Sequence, residues 1–287
     1  MIGDKKGRRI LLVSSSGDDI LIPLKIWLEK YLEISEIMGY DIARDREATR
    51  ILARILKAKQ MKPPLNKLRD LFYGKNVLIF GAGPSLDDAL DSLLWKVPDF
   101  HRKATLVAAD GATQALIERN MIPQVIVTDL DGDMKSIMYS ALRGSVIVVH
   151  AHGDNIDKLS RYVEEITSVT DLIIGTTQVE PVEPLQNFGG FTDGDRAVFI
   201  ASNYGAKKII LVGMDFGRIV GRHSKPWLRH DVVAWSDKLK KLEIAYNLIS
   251  WIVTMSDLKI YTLSGNAPQN VKRIRLDDLG DVLRCNL

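Results

Sequence analysis

Val125-Ile-Val-Thr-Asp-Leu-Asp-Gly-Asp133 runs from three apolar residues straight into three carboxylates spaced two apart. Alternate residues of a strand point the same way, so Asp129, Asp131 and Asp133 converge on one point if the extended form persists. Hard cations collect oxygen ligands in this manner, although a strand that simply ends in an Asp-Gly turn is the plainer alternative. His150-Ala-His-Gly-Asp-Asn155 is the densest group of ligand-capable residues. Histidines two apart with Asp154 beyond suit zinc in a hydrolase. No other segment completes a zinc set, whereas an oxygen-only magnesium site asks only Asp154 of this stretch and leaves the histidines to contact phosphate or substrate.

Gly81-Ala-Gly-Pro-Ser-Leu86 puts two glycines at a sharp turn, and Ser85 with Asp88 fits a helix-capping box. Free amides at such a helix start attract phosphate. Leu86 stands where a dinucleotide fingerprint has its third glycine and the P-loop lysine is missing, so an ordinary strand-to-helix turn is the competing view. Asp110-Gly-Ala-Thr113 follows another apolar run and brings Asp110 to the edge where ribose hydroxyls, a metal or an adjacent amide can be bound. In Gly189-Gly-Phe-Thr-Asp-Gly-Asp-Arg-Ala197, Thr192 with Asp195 is itself a capping box and Asp193 favours the helix dipole. The Gly-Gly-Phe before it and Arg196 after it exceed what capping needs, which suggests a substrate loop. Gly213-Met-Asp-Phe-Gly217 again sets an aspartate after a strand. The aperiodic stretch 218–231 carries Arg222, His223, Lys225, Arg229 and His230, suited to a cationic loop over phosphates or to a plain solvated loop. Trp227, Trp235 and Trp251 can stack on a flat heterocycle or serve as packing.

These residues need a scaffold that delivers them to one edge. Strands are expected at Val77–Phe80, Thr105–Ala109, Val125–Val127, Val146–Val149, Leu172–Ile174, Lys208–Val212 and Lys259–Leu263, alternating with helices from Leu86, through Ile117, over Thr192–Tyr204 and over Asp237–Met255. That alternation implies an α/β fold, a mostly parallel Rossmann-like sheet with helices on both faces, whose ligands bind at the carboxyl ends of the strands. Before it, a possible strand at Arg9–Val13, a helix from Ile20 to Met38 and an amphipathic helix from Ile42 to Lys59, ended by Met61-Lys-Pro-Pro64, make a small mainly helical unit. The expected division is 1–70 for that unit and 71–287 for the catalytic domain.

The 287 residues, 46% hydrophobic and 26% charged, are ordinary for a globular chain. No apolar run reaches membrane-spanning length and the start lacks a signal-peptide core, which points to the cytoplasm and away from a membrane. Cys285, the one cysteine, excludes an internal disulfide or a cysteine zinc site. A net charge of +3 gives no argument for nucleic acid. Oligomeric state is not fixed, and a homo-oligomer stays open.

With GAGPSLD at 81–87, ADGAT at 109–113, TDLDGD at 128–133, HAHGDN at 150–155 and GFTDGDRA at 190–197 in that order, the chain resembles the archaeal MptE-type 6-hydroxymethyl-7,8-dihydropterin diphosphokinases, a family distantly similar to thiamin pyrophosphokinases. The resemblance extends from about residue 40 to about residue 265. It implies magnesium-dependent transfer of a diphosphate from ATP to the primary alcohol of a reduced pterin, with AMP released, on the route to methanopterin or folate-type carriers. Asp129 and Asp131 look like the magnesium-binding pair of thiamin pyrophosphokinases, with Asp154 near the place of a further ligand and Asp110 and Asp133 close by. Gly81, Gly83, Pro84, Ser85, Asp110 and Thr113 are then expected around ATP, with Arg196, His223 and Lys225 supplying positive charge. His152, Asn155, Thr192, Asp193 and Asp195 are expected around the substrate, Asp193 and Asp195 as acceptors for the pterin. GAGPSL is also similar to a loop of certain bacterial sialyltransferases and flagellin-modifying proteins. The alternatives are therefore a nucleotide-sugar glycosyltransferase, a zinc hydrolase or a non-catalytic nucleotide-binding regulator.

Overall fold

The computed structural model describes residues 22–255 and 258–284. The expected strand at Arg9–Val13, the beginning of the first helix at Ile20 and Cys285 lie outside these residues. Among the described residues the strands are β1 Asn76–Phe80, β2 Thr105–Ala109, β3 Val125–Thr128, β4 Val146–Ala151, β5 Ile173–Thr177, β6 Lys208–Val212, β7 Ile219–Val220, β8 Val232–Val233, β9 Lys259–Thr262 and β10 Lys272–Arg273. The helices are α1 Leu24–Met38, α2 Ile42–Ala58, α3 Leu65–Phe72, α4 Leu86–Lys96, α5 Phe100–Lys103, α6 Ala112–Ile117, α7 Met134–Ala141, α8 Ile156–Thr167, α9 Asp193–Asn203, α10 Ser236–Thr254 and α11 Leu276–Arg284. Eight strands form one parallel sheet in the order β10-β9-β6-β1-β2-β3-β4-β5, and β7 with β8 makes a separate antiparallel hairpin. From β1 the chain steps one way to β5 and the other way through β6 to β10. The reversal lies between β1 and β6, the place where open α/β sheets bind ligands.

Strands buried on both faces read as unbroken apolar runs, and here the two faces can be assigned residue by residue. Leu78, Phe80, Leu106, Ala108, Ile126, Ile147 and Val149 point into one core with α2, α4, α6, α7 and α8. Val77, Ile79, Val107, Val125, Val127, Val146 and Val148 point into the other with α1, α3, α9 and α10. The helices before residue 70 thus complete both layers. Trp27, Tyr31 and Ile34 of α1 lie on the α9 side, while Ala48, Leu52, Ala53 and Leu56 of α2 lie on the α8 side. Gly39 ends α1 in the left-handed conformation, φ 69°, and Asp41 caps α2 by accepting from the Ala43 amide at 2.9 Å. The short link between them crosses the sheet's rim with Tyr40 on it. Among the described residues no helix is long and apolar enough to cross a membrane.

Candidate active site

At the carboxyl ends of β2 and β3 the backbone leaves the extended form abruptly. Asp110 has φ 43° and Leu130 φ 66°, and Thr128 ties the two turns by donating its hydroxyl to Asp110 and accepting from the Leu130 amide at 2.8 Å. Alternation stops there, so the three carboxylates of 129–133 do not share a face. Asp133 instead caps α7, accepting from the Ser136 amide at 3.0 Å and its hydroxyl at 2.6 Å. The group that does converge is Asp110, Asp129 and Asp193, one oxygen of each lying within 4.8 Å of the others. Asp193 reaches it from the first turn of α9.

The electrostatics are those of crowded like charges. Burial first, then Asp129 and the other carboxylates, push the Asp110 and Asp193 carboxyls well above the usual range. Asp129 goes the other way: burial works against its charge, but His152 and Lys225 outweigh it. His152 Nδ1 accepts the Asp154 amide at 3.2 Å, so its proton sits on Nε2, which donates to Asp129 Oδ2 at 3.3 Å. Asp129 Oδ1 is buried and has no partner. Three carboxylates around an orphaned buried oxygen form an oxygen-only donor set that fits a hard cation such as Mg²⁺.

Lys225, Lys238 and Lys241 line the same cleft, of about 380 Å³. Lys225 bonds Asp131, and Lys158 lies 3.9 Å from the same carboxylate. Burial and the neighbouring Lys225 lower the Lys238 ammonium below its usual value. Gly81, Gly83, Phe216, Ile219 and Val220 line the cleft, as do Tyr40 with Phe191 and His150 with Gln178, each of these two pairs in contact.

The remaining expected site residues divide sharply. Gly81, Gly83, Asp110, Asp131, His152, Thr192, Asp193 and Lys225 line the cleft with Asp129. Asp154 lines the cleft as well, but as an exposed residue outside the carboxylate group, its amide bonded to His152 Nδ1. The Gly81–Ser85 loop is not an open cradle. The Gly81 and Gly83 amides donate to Val212 and Gly213 carbonyls at 2.9 and 2.8 Å, and the Ser85 amide and hydroxyl both bond Asp215. That carboxylate takes the place of the expected anion and of the Ser85–Asp88 capping box. A Cβ on Gly83 would come 2.4 Å from Asp215 Oδ2, so only glycine permits the approach. Pro84 has no amide to offer and, like Ser85, is absent from the cleft wall.

Arg196 lies beneath the site, 1% exposed, donating to the Gly189 and Phe191 carbonyls and to His150 Nε2 at 3.3, 3.2 and 2.9 Å. Burial lowers its guanidinium to about 10. It pegs the glycine turn to α9 and presents no charge to a ligand. Asp195 is likewise consumed, closing the expected capping box with Thr192 and accepting the Phe191 amide at 2.6 Å. Asn155 braces the turn after β4 by donating to the Asp129 and His150 carbonyls at 2.9 and 2.7 Å. Thr113 is buried below the Asp110 turn, outside the cleft wall. His223 faces α4, 3.2 Å from Asp87. There Arg222 also binds Asp87, and although burial opposes the charge, these partners hold the Asp87 carboxyl down to about 2. The ring nitrogens of His150 are taken by Thr176 and Arg196, and those of His152 by Asp129 and the Asp154 amide, so this histidine pair has no nitrogen left for zinc.

Residues 50–221 match the family described as 6-hydroxymethylpterin diphosphokinase, MptE-like. The chain is 46% identical over 238 residues to the 6-hydroxymethyl-7,8-dihydropterin pyrophosphokinase of Pyrococcus furiosus, covering 83% of this chain and 97% of that one. The chain belongs to the MptE-like family. Relatives of the same printed name from Methanocaldococcus jannaschii and Methanothermobacter thermautotrophicus are 41% and 40% identical, over 80% and 83% of this chain and 95% and 98% of theirs. Among solved structures, the MAf glycosyltransferase of Magnetospirillum magneticum AMB-1 is similar at a TM-score of 0.48 and 14% identity, over 81% of this chain and 38% of that one. A likeness of that size carries no argument about function.

In this MptE-like chain several cleft residues carry weak sequence signals. Lys238 and Lys241 stand three apart on a helix whose other face is core, so hydropathy alone places them in solvent. Gln178 follows β5, which continues past its apolar run through Thr176 and Thr177. Tyr40 sits in a two-helix link with no motif around it.

Proposed function

We propose that the protein transfers a diphosphate from ATP to 6-hydroxymethyl-7,8-dihydropterin, giving AMP and the pterin diphosphate, on the route to a methanopterin- or folate-type carrier. The observation that carries this is the Asp110, Asp129 and Asp193 group with its unpartnered buried oxygen, in one cleft with three lysines, in a chain of this family. The alcohol oxygen bonds to the β-phosphorus, the bridge to the α-phosphate breaks, AMP leaves with the bridging oxygen, and the alcohol's proton is released. Such a transfer needs alignment and charge neutralisation more than covalent help. Mg²⁺ held by Asp110, Asp129 and Asp193 would neutralise triphosphate charge. Lys225, Lys238 and Lys241 add positive charge in the same cleft, with Lys225 held by its pair with Asp131. His152 holds Asp129 Oδ2 and leaves Oδ1 without a partner.

The glycosyltransferase alternative rested on Gly81–Leu86 as a phosphate cradle, and the bonds of the Gly81, Gly83 and Ser85 amides to Val212, Gly213 and Asp215 weigh against it. Incubation with ATP, Mg²⁺ and 6-hydroxymethyl-7,8-dihydropterin tests the proposal: AMP and the pterin diphosphate are expected in equal amounts, suppressed by EDTA. Failure to form AMP under these conditions overturns it.

A further inference from the structure

Gln178 stands in the cleft wall at 2% exposure, just beyond β5, and its amide orientation follows from its neighbours. Tyr31 keeps its phenolic proton, burial and Asp45 both pushing its titration up, and donates that proton to Asp45. The Gln178 atom 2.7 Å from the Tyr31 oxygen must therefore be the donor, Nε2. That leaves Oε1 facing His150 Nε2 at 3.3 Å. His150 Nε2, however, already receives Arg196 Nη2 at 2.9 Å, and a guanidinium N–H only donates. His150 accordingly carries its proton on Nδ1, toward Thr176 Oγ1 at 3.2 Å. The contact between His150 Nε2 and Gln178 Oε1 joins two acceptors, so the side-chain oxygen of Gln178 receives no proton from His150.

We propose that this oxygen is the acceptor for a ring or amino N–H of the alcohol substrate's heterocycle, and so a specificity-determining contact. The inference rests on the diphosphokinase reading and deepens it. An acceptor whose hydroxyl hangs on a single carbon must keep its ring close to the carboxylate group. A nucleoside separated from the transferred phosphorus by the α-phosphate can sit farther off. The wall around Gln178 adds the flat apolar surface such a ring needs, with Tyr40 and Phe191 6.1 Å apart. A buried acceptor awaiting a donor discriminates strongly against rings lacking one. Trp27, donating its indole N–H to the Gln178 backbone carbonyl at 3.0 Å, and Tyr31 hold the residue in place from α1.

Calorimetric titration of the full-length protein with 6-hydroxymethylpterin alone, and separately with ATP and Mg²⁺, tests this. Gln178→Met, which keeps the length but loses the acceptor, should weaken pterin binding by about tenfold to a hundredfold and leave ATP affinity within about twofold, the latter also reporting an intact fold. Unchanged pterin affinity, or a loss falling on ATP instead, overturns the proposal. Should Gln178→Met bind neither ligand, Tyr31→Phe decides: it frees the amide to turn, and is expected to weaken pterin selectively, while wild-type affinity would overturn the idea. A wild-type protein that binds pterin but forms no AMP defeats the proposed reaction and leaves this contact standing; one that binds no pterin defeats the contact.

Discussion

At the scale of single residues, the distinction that matters is between carboxylates that converge and carboxylates that only stand near one another in sequence. Asp129→Asn should lower kcat by about a hundredfold to a thousandfold, the usual cost of removing one electrostatic partner of a transferring group. Asp154→Asn, exposed and outside the carboxylate group, should stay within about threefold of wild type. Steady-state rates of AMP formation check both, and equal losses would return Asp154 to the metal site. His150 carries a different expectation. Burial and then Arg196 lower its titration well below 6.5, so the folded ring stays neutral where the unfolded chain begins to take up a proton. Above pH 6.5 neither state is protonated and no dependence arises. As pH falls below that value, stability is lost at up to about 1.4 kcal/mol per pH unit. Urea denaturation between pH 7.5 and 5 should therefore show a shallower acid slope for His150→Gln than for wild type. The aspartates Asp110, Asp129 and Asp193 were legible because each follows a strand or opens a helix. Their grouping was not, since it depends on left-handed turns at Asp110 and Leu130 that no spacing rule announces.

Elements set which of these residues meet. The loop carrying Lys225 is fixed to α4 by Arg222 and His223 on Asp87, and to α6 by close backbone approach at Gly111. A Cβ on Gly111 would stand 1.8 Å from the His223 carbonyl oxygen, a rigid backbone atom. Gly111→Ala should cost about 1–3 kcal/mol of stability, the range for overpacking, and should raise the KM for ATP as Lys225 is displaced. Thermal melts and ATP kinetics measure the two effects, and a variant normal in both would show that the loop is not seated on that glycine. Strands were readable where apolar runs carry them, Lys208–Val212 and Thr105–Ala109 without any shift, because strands buried on both faces need unbroken apolar runs, whereas β4 and β5 run two and three residues past their expected ends. The hairpin of β7 and β8 was not, two residues a side being too short to show a period. The partners of the Gly81–Ser85 loop were hidden for a related reason: its Gly81, Gly83 and Ser85 amides bond Val212, Gly213 and Asp215, more than a hundred residues away.

For the whole molecule, gathering carboxylates at one rim stores repulsion that a cation relieves, so ligand binding and folding stability are linked. Mg²⁺ at a hundred times its dissociation constant should stabilise the fold by about 2.7 kcal/mol, and Asp129→Asn should abolish most of that gain. Denaturation with and without Mg²⁺ measures it; an equal gain in the variant would place the cation elsewhere. The parallel sheet and its two covers could be anticipated from alternating strands and helices. The destination of the first helices could not, because an amphipathic period says that a helix has a partner and not which one.

With α1 and α2 on opposite faces of the sheet, the peptide at Gly39–Asp41 works like the buckle of a belt, and Tyr40 is its tongue, pressed into the cleft. A protease cut there would leave each helix seated on its own layer yet release the aromatic ring from the pocket. Substrate grip would then fall while the melting temperature barely moved.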